Sequence, residues 1–324
     1  MIVIGTGDAG PAKYLSCLRS YLPTDTIWVG NDLTKPIFVV NGIDCCTDLT
    51  LLSDIEIVVT GTQLGEGLDK ELLLKARSNG IPTVSIIDHW SWYRKRFELP
   101  GGLLLPDWII VNDEIAMEDA IADGIPANQL IVGGNPVLGA LAEHAFTTDR
   151  TLPALCIEHR RDYSRTIVFI SEEISSVFGG TSDDLGYDEF KVVDQIQEVM
   201  SPDDRLIIKL HPAESSNKYD YLQQPEVSVI GQIDIHELSA LADVVIGMAS
   251  ILLLELAMIR RDVISFRPDA RIPFIGERLN ATVGADSQKV LQRLLAKPDQ
   301  ASDAFREQFI GSGQRIARIL THLA

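Results

Sequence analysis

The sequence predicts an α/β protein with two Rossmann-like, doubly wound parallel-sheet domains that face a central cleft. Its 324 residues suit two domains better than one. In both halves, short and nearly continuous apolar runs alternate with amphipathic stretches, as expected for parallel strands that are buried on both faces and joined by helices. A charged stretch without clear periodicity, at residues 149–165, separates the halves.

Domain boundaries follow from this break in the pattern. We predict an N-terminal domain over residues 1–148, a linker over 149–165, a C-terminal domain over 166–300 and a C-terminal helix over 301–324. Ligands of open parallel sheets bind beyond the carboxyl ends of the strands. The residues that follow the predicted strands are therefore the first candidates for a site.

The first half contains apolar runs predicted as strands and periodic stretches predicted as helices. The strands are residues 2–5, 26–29, 37–40, 55–60, 83–87, 108–111 and 129–132, and the helices are 11–21, 67–79 and 114–123. The second half repeats the alternation. Its strands are 166–171, 205–210, 227–230, 244–247 and 262–266, and its helices are 188–200, 235–242, 250–259, 287–297 and 302–321.

Composition restricts the partners. The chain has 28 Lys and Arg against 46 Asp and Glu, a formal net charge of −18, which repels nucleic acids and anionic lipids. No apolar run reaches the roughly 18 residues of a membrane span. Four cysteines without CxxC spacing and an N-terminus without a secretory pattern predict a cytoplasmic protein. Metal-ligand motifs are absent from the sequence, so we expect neither a metal nor a resident cofactor.

A glycine-rich loop follows the first predicted strand. Residues 5–10, GTGDAG, match GxGxxG, in which glycines let the backbone approach an anion at a helix N-terminus. Asp32, after the second strand, is an acidic residue that would favour NAD. Three interpretations stay open: a dinucleotide site, a cleft-lining loop that uses Gly7 and Asp8 for another ligand, and a structural turn.

The strand at 205–210 ends in Lys209-Leu210-His211-Pro212. Pro212 favours an extended backbone at His211 and ends the strand. An imidazole at the carboxyl edge of a sheet can hydrogen-bond a phosphate or donate a proton to it. The alternative is an exposed loop histidine without a role.

The strand at 244–247 ends in Gly247-Met248-Ala249-Ser250. Ser250 is a natural N-cap, and its helix N-terminus attracts anions. Glu255 is a lone charged residue in the apolar helix that follows, and ribose hydroxyls could donate hydrogen bonds to its carboxylate. The alternatives are simple capping by Ser250 and a Glu255 that is paired with a basic neighbour.

Residues 88–97, DHWSWYRKRF, form the densest aromatic and basic stretch of this acidic chain. Asp88 and His89 would suit an acid–base pair, and Arg94 or Arg96 would suit a phosphate or carboxylate. The alternative is packing by the tryptophans together with salt bridges to the acidic surface.

Several segments together resemble the two-domain GT-B glycosyltransferase fold, and in particular its branch of bacterial capsule, sialic-acid and glycerol-phosphate transferases. A more distant similarity is to UDP-N-acetylglucosamine 2-epimerases. The segments are IVFISE at 167–172, GYDE at 186–189, LIIKLHP at 206–212, ADVVIGMAS at 242–250, Glu255, and GGNP at 133–136. The resemblance implies that His211, Ser250 and Lys209 bind the phosphate of a nucleotide-linked donor in the C-terminal domain.

We therefore expect an enzyme that transfers a glycosyl or related group from a nucleotide-activated sugar to an acceptor hydroxyl without a metal, in bacterial surface-polysaccharide synthesis. The expected catalytic residues are His211, Asp8 and Asp88, with Glu172 as a further candidate base, and the expected donor-binding residues are Lys209, Ser250, Glu255, Gly247, Gly7 and Arg94. Alternatives are a nucleotide-sugar 2-epimerase, a non-catalytic nucleotide-sugar-binding protein and an NAD-dependent oxidoreductase. A homodimer is compatible with the sequence.

Overall fold

The computed structural model describes residues 1–47, 54–145, 163–177, 179, 185–260, 262–270, 273–297, 299 and 302–324. The chain divides into two compact units. Unit 1 comprises Met1–Ala140 and Gln308–Ala324, and unit 2 comprises Leu141–Glu307. The predicted linker at 149–165 lies almost wholly outside the described residues, which resume at Tyr163.

The described strands are numbered in chain order. They are β1 Ile2–Thr6, β2 Ile27–Gly30, β3 Cys45–Cys46, β4 Ile57–Thr60, β5 Thr83–Ile86, β6 Glu98–Leu99, β7 Gly102–Leu103, β8 Trp108–Val111, β9 Leu130–Val132, β10 Arg165–Ile170, β11 Asp204–Lys209, β12 Val227–Ile230, β13 Val244–Gly247, β14 Val263–Phe266 and β15 Val283–Ala285.

The described α-helices are numbered in the same way. They are α1 Ala9–Ser16, α2 Lys35–Val40, α3 Leu68–Ser78, α4 Glu114–Ala122, α5 Pro136–Ala145, α6 Ile174–Val177, α7 Glu189–Val199, α8 Ile235–Leu241, α9 Ile251–Ile259, α10 Ile275–Arg278, α11 Gln288–Ala296, α12 Asp303–Glu307 and α13 Ser312–Leu323. Short 3₁₀ helices lie at Lys95–Phe97 and Ala127–Gln129. Among the helices of the described segments, none combines the length and the apolar character needed to cross a bilayer.

Unit 1 contains a parallel sheet with the strand order β3-β2-β1-β4-β5-β8-β9. The crossovers run in opposite directions on the two sides of β1, so the order reverses between β1 and β4. β6 and β7 form a separate antiparallel pair. The strands are buried on both faces, which explains their nearly continuous apolar sequences.

The last helix of the chain completes the core of unit 1. Ile316 and Leu320 of α13 are fully buried in the same apolar cluster as Ile4 of β1 and Ile110 of β8. Arg315 Nε donates a hydrogen bond to the Gly133 carbonyl at 2.9 Å, after β9. A segment at the end of the sequence is therefore part of the first domain.

Unit 2 contains a parallel sheet with the order β12-β11-β10-β13-β14-β15. This order also reverses beside its first strand, between β10 and β13. One face of the sheet packs on α7 and α11 through a core that includes Phe169, Val192 and Leu291. Both units are thus doubly wound parallel sheets, as the sequence predicts.

The strand predicted at residues 37–40 is wrong, because these residues belong to α2. Pro36 lies in the first turn, where a helix tolerates proline, and the Asn31 side chain accepts hydrogen bonds from the backbone N–H groups of Leu33 and Thr34, both at 3.0 Å. Val40 is 86% exposed. The run therefore lacks the two-sided burial of a central strand. The next parallel strand is instead β3 at the edge of the sheet, where Cys45 is buried.

The single helix predicted at residues 301–324 is also wrong, since this segment forms two helices, α12 and α13. Gly311, immediately before α13, has a φ of 71°, in the left-handed region that glycine adopts without steric penalty. The break lets α12 belong to unit 2 and α13 to unit 1.

Candidate functional site

The candidate site of unit 2 begins where three neighbouring strands end. β10 lies between β11 and β13, and its last residue, Ile170, pairs with Lys209 on one side and with Gly247 on the other. Adjacent strands are about 4.8 Å apart. The loops that follow the three strands therefore leave the sheet side by side, at the point where the strand order reverses.

Ser250 begins α9 as predicted. Its Oγ accepts a hydrogen bond from the Leu252 backbone N–H at 3.2 Å, and its backbone is extended. Gly247 has a packing role, because a Cβ at this position would lie 2.7 Å from Leu253 Cδ2. The glycine allows α9 to pack closely against β13.

Glu172 lies at the N-terminus of α9. Its Oε1 accepts hydrogen bonds from the backbone N–H groups of Ala249 at 2.7 Å and Met248 at 3.2 Å. Burial raises the pKa of Glu172 to about 7, although these donors and the N–H of Ser250 favour the ionised form. The turn therefore binds a carboxylate of the same chain.

The side chain of His211 has one ring nitrogen, Nε2, that is not bonded to its own loop. Its Nδ1 accepts a hydrogen bond from the Ala213 backbone N–H at 3.3 Å and lies 3.9 Å from Glu173 Oε2. No partner of Nε2 is found in the described part of the chain, and the side chain is 48% exposed. With Nδ1 as the acceptor, Nε2 carries the proton and can donate a hydrogen bond to a ligand.

Glu173 and Glu172 connect the two predicted phosphate-binding loops. Glu173 faces His211, while Glu172 binds the turn that ends in Ser250. The structure thus brings His211 and Ser250 to either side of one dipeptide, through contacts that the sequence pattern did not reveal.

A buried network fixes the loop that carries His211. Glu214, with a side chain only 1% exposed, accepts hydrogen bonds from the His211 backbone N–H at 2.7 Å and from Ser171 Oγ at 2.8 Å. Lys218 Nζ binds the same carboxylate at 2.6 Å and also contacts Glu189. Sequence reasoning missed Glu214 and Lys218, and the position of Glu214 three residues after His211 was the available signal.

Lys209 is the last residue of β11 and is 8% exposed. Burial lowers the pKa of its ammonium, while the carboxylates of Glu214 and Glu255 oppose that change. In the described segments Nζ makes neither a hydrogen bond nor an ion pair. Because a buried charge is unfavourable without a partner, this ammonium is suited to an anionic ligand.

Glu255 lies on α9 and is half-buried. It acts on Lys209 through its charge, without reaching ion-pair distance. The structure thus places Glu255, Gly247 and Lys209 around the same end of the sheet.

A further residue that the sequence reasoning missed is Arg267, which follows β14. Its Nε donates to Ser265 Oγ at 3.1 Å, and Ser265 Oγ donates to the Met248 carbonyl at 2.8 Å. Its guanidinium also pairs with Glu277 at 2.7 Å. Arg267 therefore supports the turn before α9 from the neighbouring strand.

In unit 1 the glycine-rich loop is packed against side chains. Asp8 is the N-cap of α1 and accepts a hydrogen bond from the Ala9 N–H at 2.7 Å. Asn31 Nδ2 donates to the Gly7 carbonyl at 3.0 Å, and a Cβ on Gly7 would collide with Gln63 Oε1. The side chain of Gln63 thus occupies the space from which a ligand would approach Gly7, and Asp32 is exposed.

Asp88, after β5, lies beside the same loop. A Cβ on Gly10 would be 2.9 Å from Asp88 Oδ2, and Asp88 Oδ1 is 3.5 Å from the Arg96 guanidinium. Burial raises the pKa of Asp88. The positive charge of Arg96 acts to lower this pKa, and the negative charge of Asp8 acts to raise it. The structure therefore brings Asp8 and Asp88 together.

Arg96 rather than Arg94 is the basic residue at Asp88. Arg96 donates to the Thr62 carbonyl at 2.8 Å and to the Ser91 carbonyl at 3.1 Å, so it connects the loops after β4 and β5. Arg94 pairs with Glu98 at 3.3 Å in an exposed position. Contacts between Arg94 and the other predicted site residues are not found in the described parts of the chain.

His89 and Asn135 have local roles. Burial, with the charge of Arg96, lowers the pKa of His89 to about 4, so the ring is neutral near pH 7. Its Nδ1 makes a 2.8 Å hydrogen bond with Ser91 Oγ. Asn135 Oδ1 accepts hydrogen bonds from the first N–H groups of α5.

A buried carboxylate in α3 gives a prediction on stability. Burial raises the pKa of Asp69 to about 6, although the Gln63 N–H, Thr6 and Lys70 favour the ionised form. The folded state therefore binds a proton more tightly than the unfolded state, and this group destabilises the fold increasingly above pH 4. We expect Asp69→Asn to raise the free energy of unfolding at pH 8, by up to about 3 kcal/mol, since one pKa unit equals about 1.4 kcal/mol.

The measurement is urea unfolding of both proteins at pH 4 and at pH 8. The gain in the free energy of unfolding should be small at pH 4 and large at pH 8. Glu71→Gln, at an exposed position of the same helix, is the control. An equal gain at both pH values would contradict the assignment, as would a loss at pH 8.

Comparison of the fold with solved structures finds extensive similarity at low sequence identity. The UDP-GlcNAc 2-epimerase of Methanocaldococcus jannaschii, in complex with UDP-GlcNAc and UDP, has a TM-score of 0.64 at 16% identity, with 99% of each chain covered. The glycotransferase of kitacinnamycin gives 0.63 at 14%, with 99% of this chain and 98% of that chain covered. Anabaena HepE, in complex with UDP and glucose, gives 0.62 at 11%, with 99% and 100% covered.

These similarities confirm the predicted fold class, two doubly wound α/β domains of GT-B-like type. No family model matches the sequence, and no curated protein matches it. Within the described residues, no group of three or more His, Cys, Asp or Glu side chains is arranged to hold a metal ion.

Proposed function

We propose that this chain is an enzyme that transfers a glycosyl group from a nucleotide-activated sugar to an acceptor hydroxyl. The observation that supports this proposal is the convergence of three loop ends in unit 2 around the α9 N-terminus. The Nε2 of His211 and the buried ammonium of Lys209 lie at these strand ends, together with a turn whose backbone N–H groups bind an anionic group, the carboxylate of Glu172. Similar solved structures contain UDP, which fits a ligand with phosphates.

In the proposed reaction, the bond between the anomeric carbon and the donor phosphate breaks as the acceptor oxygen bonds to that carbon. The bonding electrons go to the phosphate oxygen, where Lys209 and the α9 N–H groups stabilise the charge. His211 Nε2 donates a hydrogen bond to the same oxygen. The acceptor hydroxyl transfers its proton to a carboxylate. No step requires a metal.

Asp88 is the carboxylate that best suits this base role. Asp8 is engaged as the N-cap of α1, and Glu172 is bound by the turn before α9. Asp88 has a raised pKa from burial and is oriented by Arg96 through one oxygen. A base with a pKa nearer the working pH accepts a proton more readily.

Ligand binding tests the assignment directly. We would measure the melting temperature of the chain with UDP, CDP, GDP, CMP, NAD and uridine. A nucleotide that binds the folded state at 100 times its Kd should stabilise it by about 2.7 kcal/mol. Stabilisation by a nucleotide with phosphates, and much less by uridine, is the expected result. Stabilisation by NAD alone would contradict the proposal and favour the oxidoreductase.

A 2-epimerase is the second candidate, because several similar solved structures are UDP-GlcNAc 2-epimerases and because unit 1 places Asp8 and Asp88 together. NMR spectra of UDP-GlcNAc incubated with the protein would separate the two. Conversion of the sugar without an acceptor supports the epimerase, and conversion only with an acceptor supports the transferase. Tight donor binding without turnover in either assay would support a binding protein. A role in surface-polysaccharide synthesis belongs to the same proposal.

A further inference from the structure

The α9 N-terminus binds an anion that belongs to the chain itself. Glu172 Oε1 accepts hydrogen bonds from Ala249 at 2.7 Å and Met248 at 3.2 Å, and its side chain is half-buried beside them. These are the N–H groups that a donor phosphate would use in the proposed function. A phosphate and an ionised carboxylate repel each other, and a low local dielectric strengthens that repulsion.

One buried ammonium near these strand ends is not paired with Glu172. Lys209 is 8% exposed, lies on the strand next to β10, and its Nζ has no hydrogen-bond or ion-pair partner within the described residues. Glu172 interacts with Met248 and Ala249 rather than with this ammonium. A second anion at the same strand ends would provide the missing partner.

We propose that Glu172 controls donor affinity, since its carboxylate competes with the donor phosphate for the N–H groups of the turn before α9. This inference rests on the proposed function. Phosphate binding then requires Glu172 either to leave these N–H groups or to become protonated. In the first case the phosphate replaces the Glu172 carboxylate at these N–H groups. In the second case the charge repulsion between the carboxylate and the phosphate is removed.

The surroundings of Glu172 favour its protonation. Burial, with a smaller contribution from the charge of Glu214, raises its pKa to about 7. Lys218 Nζ lies 3.4 Å from the Glu172 carbonyl oxygen and is neutralised by Glu214 and Glu189. The other titratable or charged groups near this turn are Glu173, His211, Tyr187 and Arg267. His211 lies beside Glu173, so the contribution of Glu172 must be separated by substitution.

Calorimetric titration with UDP at pH 6 and pH 8 tests the inference. For the wild-type chain, we expect tighter UDP binding at pH 6, because Glu172 is then largely protonated. Glu172→Gln removes the competing charge and should strengthen UDP binding about tenfold at pH 8, with a smaller gain at pH 6. Uridine, which lacks a phosphate, should bind equally to both proteins.

Glu198→Gln makes the same chemical change on an exposed position of α7 and is the matched control. Circular dichroism and melting curves report whether each variant folds. If Glu172→Gln does not fold, the pH dependence of UDP affinity is compared between the wild-type chain and His211→Ala. It should persist in His211→Ala, while uridine affinity should not change with pH, and its loss in His211→Ala would contradict the inference.

Failure of this inference differs from failure of the proposed function. If UDP binds the wild-type chain but its affinity is unchanged or weaker in Glu172→Gln, with the same pH dependence, the role of Glu172 is refuted and the donor site stands. If neither protein binds UDP or any other nucleotide with phosphates, the proposed function itself is refuted.

Discussion

Replacing His211 with alanine is expected to lower the turnover number for sugar transfer by about 10²–10³-fold, the usual range for loss of one hydrogen-bond donor to a developing negative charge. The physical reason is geometric. Nδ1 is engaged by the Ala213 N–H, so Nε2 is the nitrogen that can donate to the departing phosphate oxygen. Because the side chain is half exposed, the free energy of unfolding should change little.

Steady-state kinetics with a donor identified by the binding panel would measure this effect. His322→Ala, at an exposed position of α13, is the matched control and should retain full activity. The Michaelis constant separates two roles: a loss confined to kcat assigns His211 to the departing group, and a rise in KM alone assigns it to donor binding. Unchanged kcat and KM would remove His211 from the site.

Asp88→Asn is expected to reduce the turnover number by a similar factor, about 10²–10⁴-fold, because an amide cannot accept the acceptor proton. The same substitution should not lower the free energy of unfolding. Burial raises the pKa of Asp88, so the ionised carboxylate is less favourable in the folded state than in the unfolded state. Above that pKa, the variant should therefore be as stable as the wild-type chain or more stable.

The pH dependence of kcat distinguishes a base from a merely structural carboxylate. In the wild-type chain, kcat should rise with pH through the pKa of Asp88, and this limb should disappear in Asp88→Asn. Asp8→Asn is the comparison, since asparagine is also a good N-cap and should preserve the start of α1. Activity that survives Asp88→Asn and is lost in Asp8→Asn would reverse the assignment of the base.

Strand ends could be located from the sequence because parallel strands that are buried on both faces leave a clear apolar signal. The ends at Lys209 and Gly247 were predicted within one residue. The run at 37–40 has the same apolar character, and the local hydrogen bonds of Asn31 together with Pro36 made it a helix. An apolar run therefore predicts a strand only where both of its faces are covered.

Partners of the site residues could not be predicted, because they depend on strand order. Glu172 binds the N–H of Ala249, which is 77 positions away, and Arg96 binds the carbonyl of Thr62, which is 34 positions away. Both contacts arise only once β10 lies beside β13 and β4 beside β5. The distinction between Arg94 and Arg96 likewise depends on the 3₁₀ helix at Lys95–Phe97, which turns the two side chains in different directions.

Because α13 returns to unit 1, the polypeptide passes from one unit to the other twice, near Ala140 and near Gln308. Unit 1 is thus encoded by two separate parts of the gene, and unit 2 by the continuous part between them. A fragment that stops at Ala140 would lack Ile316 and Leu320 and expose the apolar surface that they cover. An isolated first domain should therefore be produced by joining residues 308–324 to its end through a short artificial connection.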